Sequence, residues 1–140
     1  MSGKYFLDTN ILLYTFDHTS KAKSRKADGL VQEALAAQEG VISYQVVQEF
    51  LNVALKKMPQ LFKEADLKDY LKTVLWPLCA IYPDSNLFHA GLACHYDHCI
   101  SFYDGLIIAA ASKAGCKVLY SEDLQHGRTI SGVKIQNPFL

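Results

Sequence analysis

The sequence predicts an α/β fold, with a parallel sheet covered by helices on both faces. Short apolar runs of strand length alternate along the chain with longer segments of helical periodicity. This alternation is typical of parallel strands joined by right-handed crossovers. One helical segment is apolar on nearly every side, which indicates a helix buried within the protein.

The first part of the chain predicts one strand and two helices. Residues 4–7 form a short apolar run, and residues 10–16 follow with the spacing of a helix. Apolar residues recur every three or four positions across residues 20–38, which predicts the second helix. Gly40 lies where the C-terminus of that helix favours a left-handed residue.

The middle of the chain predicts another strand and two further helices. Val41 and Ile42 form the strand, and Ser43 is placed to cap a helix that reaches about Lys57. Met58 and Pro59 end that helix. The next helix spans about residues 64–75.

The last part of the chain contains the buried helix. A cap at residues 83–85 begins a helix that continues to about His95. Residues 101–115 form the helix that is apolar on most sides, and Gly115 ends it. The remaining predicted strands are residues 79–81, 117–120 and 133–136.

Composition favours one compact domain over residues 1–140. Half of the residues are hydrophobic, as in an ordinary globular protein. The 14 basic residues balance the 14 acidic ones, so the protein has no net positive charge that would attract nucleic acid or an anionic membrane. The N-terminus lacks the apolar core of a signal peptide, and no apolar run reaches the ~18 residues of a membrane span. We therefore expect a cytoplasmic protein without a membrane partner.

The four cysteines include no Cys-x-x-Cys pair. Residues 94–99, Cys-His-Tyr-Asp-His-Cys, have the composition of a zinc site, but six consecutive residues do not easily surround one ion tetrahedrally. We interpret this segment as a helix end with a polar turn, and the cysteines as reduced thiols.

Four acidic residues stand out by their places relative to the predicted strands. In an open parallel sheet the binding crevice lies outside the carboxyl ends of the strands. Two of the acids come after a strand, and two lie in the early turns of helices. They are Asp8, Glu49, Asp104 and Asp123.

Each of these acids also has a purely structural explanation. Asp8 suits the N-cap of the helix after it, and Asp104 suits the acid of a capping box with Ser101. Glu49 fits a surface position, and Asp123 fits a loop. The apolar neighbours of Asp104 and Glu49 argue against these explanations, because a half-buried carboxylate needs compensation and no Lys or Arg lies nearby in the helix.

A divalent cation would provide that compensation. Three or four carboxylates without a cysteine or histidine ligand form an all-oxygen site, which suits Mg²⁺ or Mn²⁺. Such an ion binds water and a phosphodiester together and stabilises charge on the leaving oxygen. The acids therefore predict hydrolysis of a nucleic-acid backbone.

Four separated motifs carry a family resemblance: LDTN at residues 7–10, VVQEF at 46–50, SFYD at 101–104 and YSED at 120–123. In this order they resemble the PIN-domain ribonucleases, and most closely the VapC-type toxins of type II toxin–antitoxin modules. The resemblance covers essentially the whole chain. It implies a five-stranded parallel sheet in an α/β/α sandwich, Mg²⁺- or Mn²⁺-dependent endoribonuclease activity on RNA, a homodimer, and inhibition by a cognate antitoxin.

The resemblance also implies roles for individual residues. Asn10 and Ser121 match polar positions that line the site. Of the neighbouring acids Glu122 and Asp123, the second keeps the family's spacing from Ser121, so we expect it to turn inward. The metal-ligating acids implied in this way, with the more variable one last, are Asp8, Glu49, Asp104 and Asp123.

Two other functions compete with this interpretation. A haloacid-dehalogenase-like phosphotransferase also has an acid after its first strand, but its motif resembles Asp-x-Asp, and Asn10 stands in the second position here. A non-catalytic PIN-like interaction scaffold predicts the loss of one or more acids, and all four are present. An aspartyl-phosphate on Asp8 would support the first alternative, and absence of metal binding would support the second.

Overall fold

A computed structural model describes residues 3–140 as an α/β structure with a mostly parallel central sheet flanked by helices. The strands are β1 (Tyr5–Leu7), β2 (Gly40–Ser43), β3 (Cys79–Ile81), β4 (Val118–Tyr120), β5 (Thr129–Ile130) and β6 (Val133–Gln136). The helices are α1 (Thr9–Tyr14), α2 (Lys21–Ala37), α3 (Tyr44–Lys57), α4 (Glu64–Tyr70), α5 (Trp76–Leu78), α6 (Ser85–His98) and α7 (Phe102–Lys113), with a π-helical turn at Leu71–Leu75.

The sheet order is β3-β2-β1-β4-β6-β5. The five strands from β3 to β6 in this order pair in parallel, and β5 pairs antiparallel with β6 at the edge. The predicted fold class is therefore confirmed, and the short antiparallel strand is an addition to the five expected strands. Two residues give too little periodicity to identify such a strand from sequence.

The core lies where the apolar segments predicted it. β1 is buried at every position, and α7 is buried without a break from Gly105 to Ala111. Gly115 adopts a φ of +78° just beyond α7, so it ends the helix as expected. No helix within residues 3–140 is long and apolar enough to cross a bilayer.

One local prediction was wrong, and a second was confirmed in position only. The left-handed residue that ends α2 is Gln38, with a φ of 58°, whereas Gly40 lies in β2. A Cβ at Gly40 would lie 2.3 Å from the Ala34 Cβ, so this glycine allows α2 to approach the sheet closely. Ser43 occupies the N-cap position of α3, but its buried hydroxyl makes no capping hydrogen bond.

The segment considered for zinc lies at the end of α6. The helix continues to His98, and Cys99 follows it in the left-handed conformation, so the segment is a helix end followed by a turn. The four cysteines, all within the described residues, are free thiols.

Candidate active site

The sheet order places one topological switch point between β1 and β4. From β1 the chain moves outward to β2 and β3, and it then returns to the other side of β1 to form β4. Because both crossovers are right-handed but run in opposite directions along the sheet, their helices pack on opposite faces of it. This leaves a crevice at the carboxyl ends of the two central strands. Asp8 follows β1 and Ser121 follows β4 at this crevice.

A hydrogen-bond network joins these two strand ends. The fully buried Ser121 hydroxyl donates to Asp8 Oδ2 over 2.7 Å, and Ser121 Oγ accepts the backbone N–H of Asp123. Asn10 Nδ2 lies 3.3 Å from Asp8 Oδ2 and 3.1 Å from Asp123 Oδ2. The amide of Asn10 therefore bridges the two carboxylates from the first turn of α1.

The Asp8 carboxyl group is held in an unfavourable place for a charge. Burial raises its pKa from 3.8 to about 6. Hydrogen bonds from Ser121 and from the Thr9 backbone N–H oppose the shift, while the charges of Glu49 and Asp123 add to it. The charged residues that act on Asp8 are thus both anions.

Glu49 reaches the crevice from α3. Its Oε2 lies 3.5 Å from the Thr9 hydroxyl, and its Oε1 accepts a 2.7 Å hydrogen bond from Gln45 Nε2. Glu49 is exposed, so the expectation of a half-buried carboxylate at this position was wrong. Val46, one helical turn earlier, is buried in the core but does not cover the Glu49 side chain.

Asp104 lies in the first turn of α7 and is half-buried. Its backbone N–H donates to Ser101 Oγ over 3.1 Å, so Ser101 caps α7, whereas the carboxylate half of the proposed capping box is not formed. Within residues 3–140, no hydrogen bond joins the Asp104 carboxylate to the residues that contact the other three acids. The nearest link is the carbonyl of the preceding residue, Tyr103, which accepts a hydrogen bond from Gln45.

Glu122 faces away from the two bridged carboxylates. Lys23 Nζ lies 2.7 Å from its Oε2, and the Tyr14 hydroxyl donates to its Oε1. The contact with Lys23 is the main cause that lowers the pKa of Glu122. Its backbone N–H donates to Asn10 Oδ1 over 3.2 Å. Asp123, the acid expected to turn inward, is the one of the pair whose side chain meets Asn10.

Comparison with known families identifies the fold. The model of the PIN domain family matches residues 5–130. The chain belongs to the PIN-domain family. None of the curated proteins matches it significantly.

Solved structures share this PIN fold at low sequence identity. FitAcB from Neisseria gonorrhoeae is 21% identical, with a TM-score of 0.66, over 96% of this chain and 98% of that one. A toxin–antitoxin complex from Klebsiella pneumoniae is 20% identical, with a TM-score of 0.67 and the same coverage. VapC20 from Mycobacterium tuberculosis, a sarcin-ricin loop cleaving toxin, is 18% identical, with a TM-score of 0.61, over 86% of this chain and 90% of that one.

The donor chemistry of the crevice in this PIN domain fits a hard divalent cation. Its oxygen donors are the carboxylates and the Ser121 hydroxyl, and Glu49 and Asp123 raise the pKa of Asp8 as mutually repelling anions do. As placed, residues 3–140 contain no group of three or more acidic, histidine or cysteine side chains close enough to share an ion. Asn10 bridges the acids instead.

Several residues of the crevice were missed from sequence. Gln45 holds Glu49, Thr9 contacts it, and Lys23 with Tyr14 holds Glu122. The separation of four positions between Gln45 and Glu49 is a signal that could have identified their contact on one helix face. The contact between Lys23 and Glu122 joins residues 99 positions apart and leaves no such signal.

Proposed function

We propose that this PIN domain is a Mg²⁺- or Mn²⁺-dependent endoribonuclease and the toxin of a toxin–antitoxin pair. One observation carries the proposal. At the switch point of the sheet, the carboxylates of Asp8 and Asp123 both contact the Asn10 amide. They lie close together even though the negative charges of Asp123 and Glu49 both raise the pKa of Asp8. A site that concentrates repelling carboxylates is suited to a cation and a phosphate.

The residues of the chain would divide the work as follows. Asp8, Glu49, Asp104 and Asp123 would hold the ion. When bound, the ion supplies Lewis-acid chemistry, activating water and neutralising charge on the phosphodiester. Ser121 and the Thr9 backbone N–H fix the two oxygens of Asp8, and Asn10 orients Asp123. Lys23 and Tyr14 anchor Glu122 and thereby the loop that carries Ser121 and Asp123.

The structural neighbours support the proposed substrate and antitoxin partner. VapC20 is described as a toxin that cleaves the sarcin-ricin loop, which is RNA, and the Klebsiella pneumoniae structure is a toxin–antitoxin complex. We infer that this chain also cleaves RNA, acts in the cytoplasm and has a cognate antitoxin. We also infer a homodimer, which sedimentation would contradict by showing only a 15.6 kDa species at every concentration.

A cleavage assay on RNA tests the proposed activity. We expect cleavage with Mg²⁺ or Mn²⁺, none with excess EDTA, and a decline as the pH falls through the range in which the carboxylates are protonated. Asp97→Asn is the matched control, because it removes an exposed acid on α6 outside the crevice. RNA cleavage that persists in EDTA would contradict the proposal. Failure to bind metal or cut RNA would favour the interaction scaffold.

The antitoxin is expected to place an Arg or Lys in the acidic crevice, since a basic side chain complements these carboxylates. Titrating an antitoxin peptide against the nuclease activity tests this point. Unchanged activity at saturating peptide would contradict it. The phosphotransferase alternative has no second acid to use, because position 10 supplies an amide, and it would require a phosphorylated Asp8.

A further inference from the structure

Gln45 connects two helices that carry acids of the crevice. It is the second residue of α3 and only 5% exposed. Its Nε2 donates over 2.7 Å to Glu49 Oε1, one turn along the helix, and over 3.2 Å to the Tyr103 carbonyl, 58 residues away in α7. Tyr103 directly precedes Asp104. One buried amide therefore contacts Glu49 and the backbone beside Asp104.

The chemistry of its two partners sets the orientation of this amide. A carboxylate and a carbonyl both accept hydrogen bonds, so the amide must present both N–H groups to them. Its own oxygen is left buried and has no hydrogen-bond partner in the described part of the chain. A buried acceptor without a hydrogen-bond partner destabilises the folded protein, because it has lost the water that it binds in the unfolded chain. Gln45 is thus a costly residue for this position.

Neither partner depends on Gln45 for its solvation. Glu49 is exposed and can bind water instead, and the Tyr103 carbonyl lies within the hydrogen-bond ladder of α7. An apolar side chain of similar size would therefore serve stability as well or better. The effect of the Gln45 hydrogen bonds is instead to fix the position of Glu49 relative to the first turn of α7.

We propose that Gln45 is a positioning residue that holds Glu49 and the first turn of α7, and with it Asp104, in one arrangement around the crevice. The inference rests on the proposed function insofar as that arrangement serves a bound cation. Residues that orient ligands in this way are not ligands themselves, yet their loss typically weakens metal binding by about 10- to 100-fold.

Two measurements on Gln45→Met test this role. Calorimetric titration with Mn²⁺, without RNA, should give a dissociation constant at least about tenfold higher than for the parent protein, with an unchanged or raised melting temperature. In metal-free protein, hydrogen exchange should become faster in residues 101–105 and stay unchanged in the core strands. Gln48→Met is the control, because Gln48 is an exposed glutamine on the same helix.

The outcomes separate this inference from the proposed function. If the parent binds Mn²⁺ and Gln45→Met binds it equally well, Gln45 does not position the acids. If the parent does not bind Mn²⁺, the proposed function fails, and hydrogen exchange alone decides whether Gln45 holds α7. Unchanged exchange would then overturn the inference. Should Gln45→Met fail to fold, Gln45→Leu removes both donors without adding a charge beside Glu49, and the same two measurements apply to it.

Discussion

Asp8 shows at the level of one residue how the crevice opposes stability. Its pKa is raised from 3.8 to about 6, mainly by burial, so the folded chain binds this proton more tightly than the unfolded chain. The free energy of unfolding contributed by Asp8 therefore falls as the pH rises from about 4 to about 6, and it stays low above that range. At about 1.4 kcal/mol per pKa unit, the ionised carboxylate costs at most about 3 kcal/mol.

Asp8→Asn should therefore stabilise the metal-free protein at neutral pH while removing its activity. The variant keeps a side-chain oxygen for the Thr9 N–H and loses the charge that burial penalises, while its amide nitrogen replaces the acceptor of Ser121 and Asn10 and reduces the gain. We expect a gain of up to about 3 kcal/mol at pH 7 and almost none at pH 3.5. Urea unfolding at both pH values measures it. An equal gain at both would show that charge is not the cause.

Asp104→Asn separates the helix cap from the proposed metal ligand. The cap uses the backbone N–H of residue 104, which the substitution leaves in place, so α7 should form normally. Loss of one preorganised charge should lower RNA cleavage by at least about 100-fold. Circular dichroism and single-turnover cleavage measure the two effects. A variant that folds and cleaves like the parent would reduce Asp104 to a structural residue.

At the level of elements, the packing of α6 on α7 depends on two glycines. A Cβ at Gly105 would lie 2.6 Å from the Gly91 carbonyl oxygen, a backbone atom that cannot move aside alone. Gly105 directly follows Asp104, so the close packing of the two helices also fixes the position of the first turn of α7, which carries Asp104. The contact leaves no room for even one methyl group.

Gly105→Ala should therefore lower the free energy of unfolding by about 1–3 kcal/mol. Gly29→Ala is the matched control. Gly29 lies exposed in α2 with nothing within 4 Å of its ideal Cβ, so alanine should stabilise the helix by about 0.5–1 kcal/mol. Urea denaturation of both variants gives the comparison, and a neutral Gly105→Ala would show that α6 shifts freely.

Sequence predicted the long elements because burial and periodicity coincide in them. The α7 segment was correctly identified as buried, and the parallel sheet followed from the alternation of strands and helices. The function of Gly40 was missed because it depends on Ala34 of α2, a contact between elements. The π-helical turn Leu71–Leu75 was missed for a related reason: its apolar spacing also suits a continuous α-helix.

The candidate site was predictable where a strand end determines it. The strand–helix alternation predicts that residues after strands share one edge of the sheet. The pairing of β1 with β4, which the sequence analysis did not predict, brings Asp8 and Asp123 to Asn10. Gln45 was not predicted, because an amide in a helix has no distinctive pattern until its partner in α7 is known. Sequence locates the acids, whereas the groups that hold them depend on tertiary contacts.

For the whole molecule, metal binding and folding should be coupled. A cation that binds only the folded chain stabilises it by about 2.7 kcal/mol at 100 times its dissociation constant. We expect Mn²⁺ to raise the melting temperature of the parent, but not that of Asp104→Asn. Differential scanning calorimetry with and without Mn²⁺ measures this, with Asp97→Asn expected to respond like the parent. An equal shift in Asp104→Asn would place the ion elsewhere.

The pairing of β1 with β4 has a consequence for synthesis of the chain. Asp8 and its partner Ser121 are separated by 113 residues, so a ribosome adding 5–20 residues per second produces them roughly 6–23 s apart. Until β4 leaves the exit tunnel, the nascent polypeptide holds only one side of the crevice. The crevice is therefore incomplete for most of the chain's own translation.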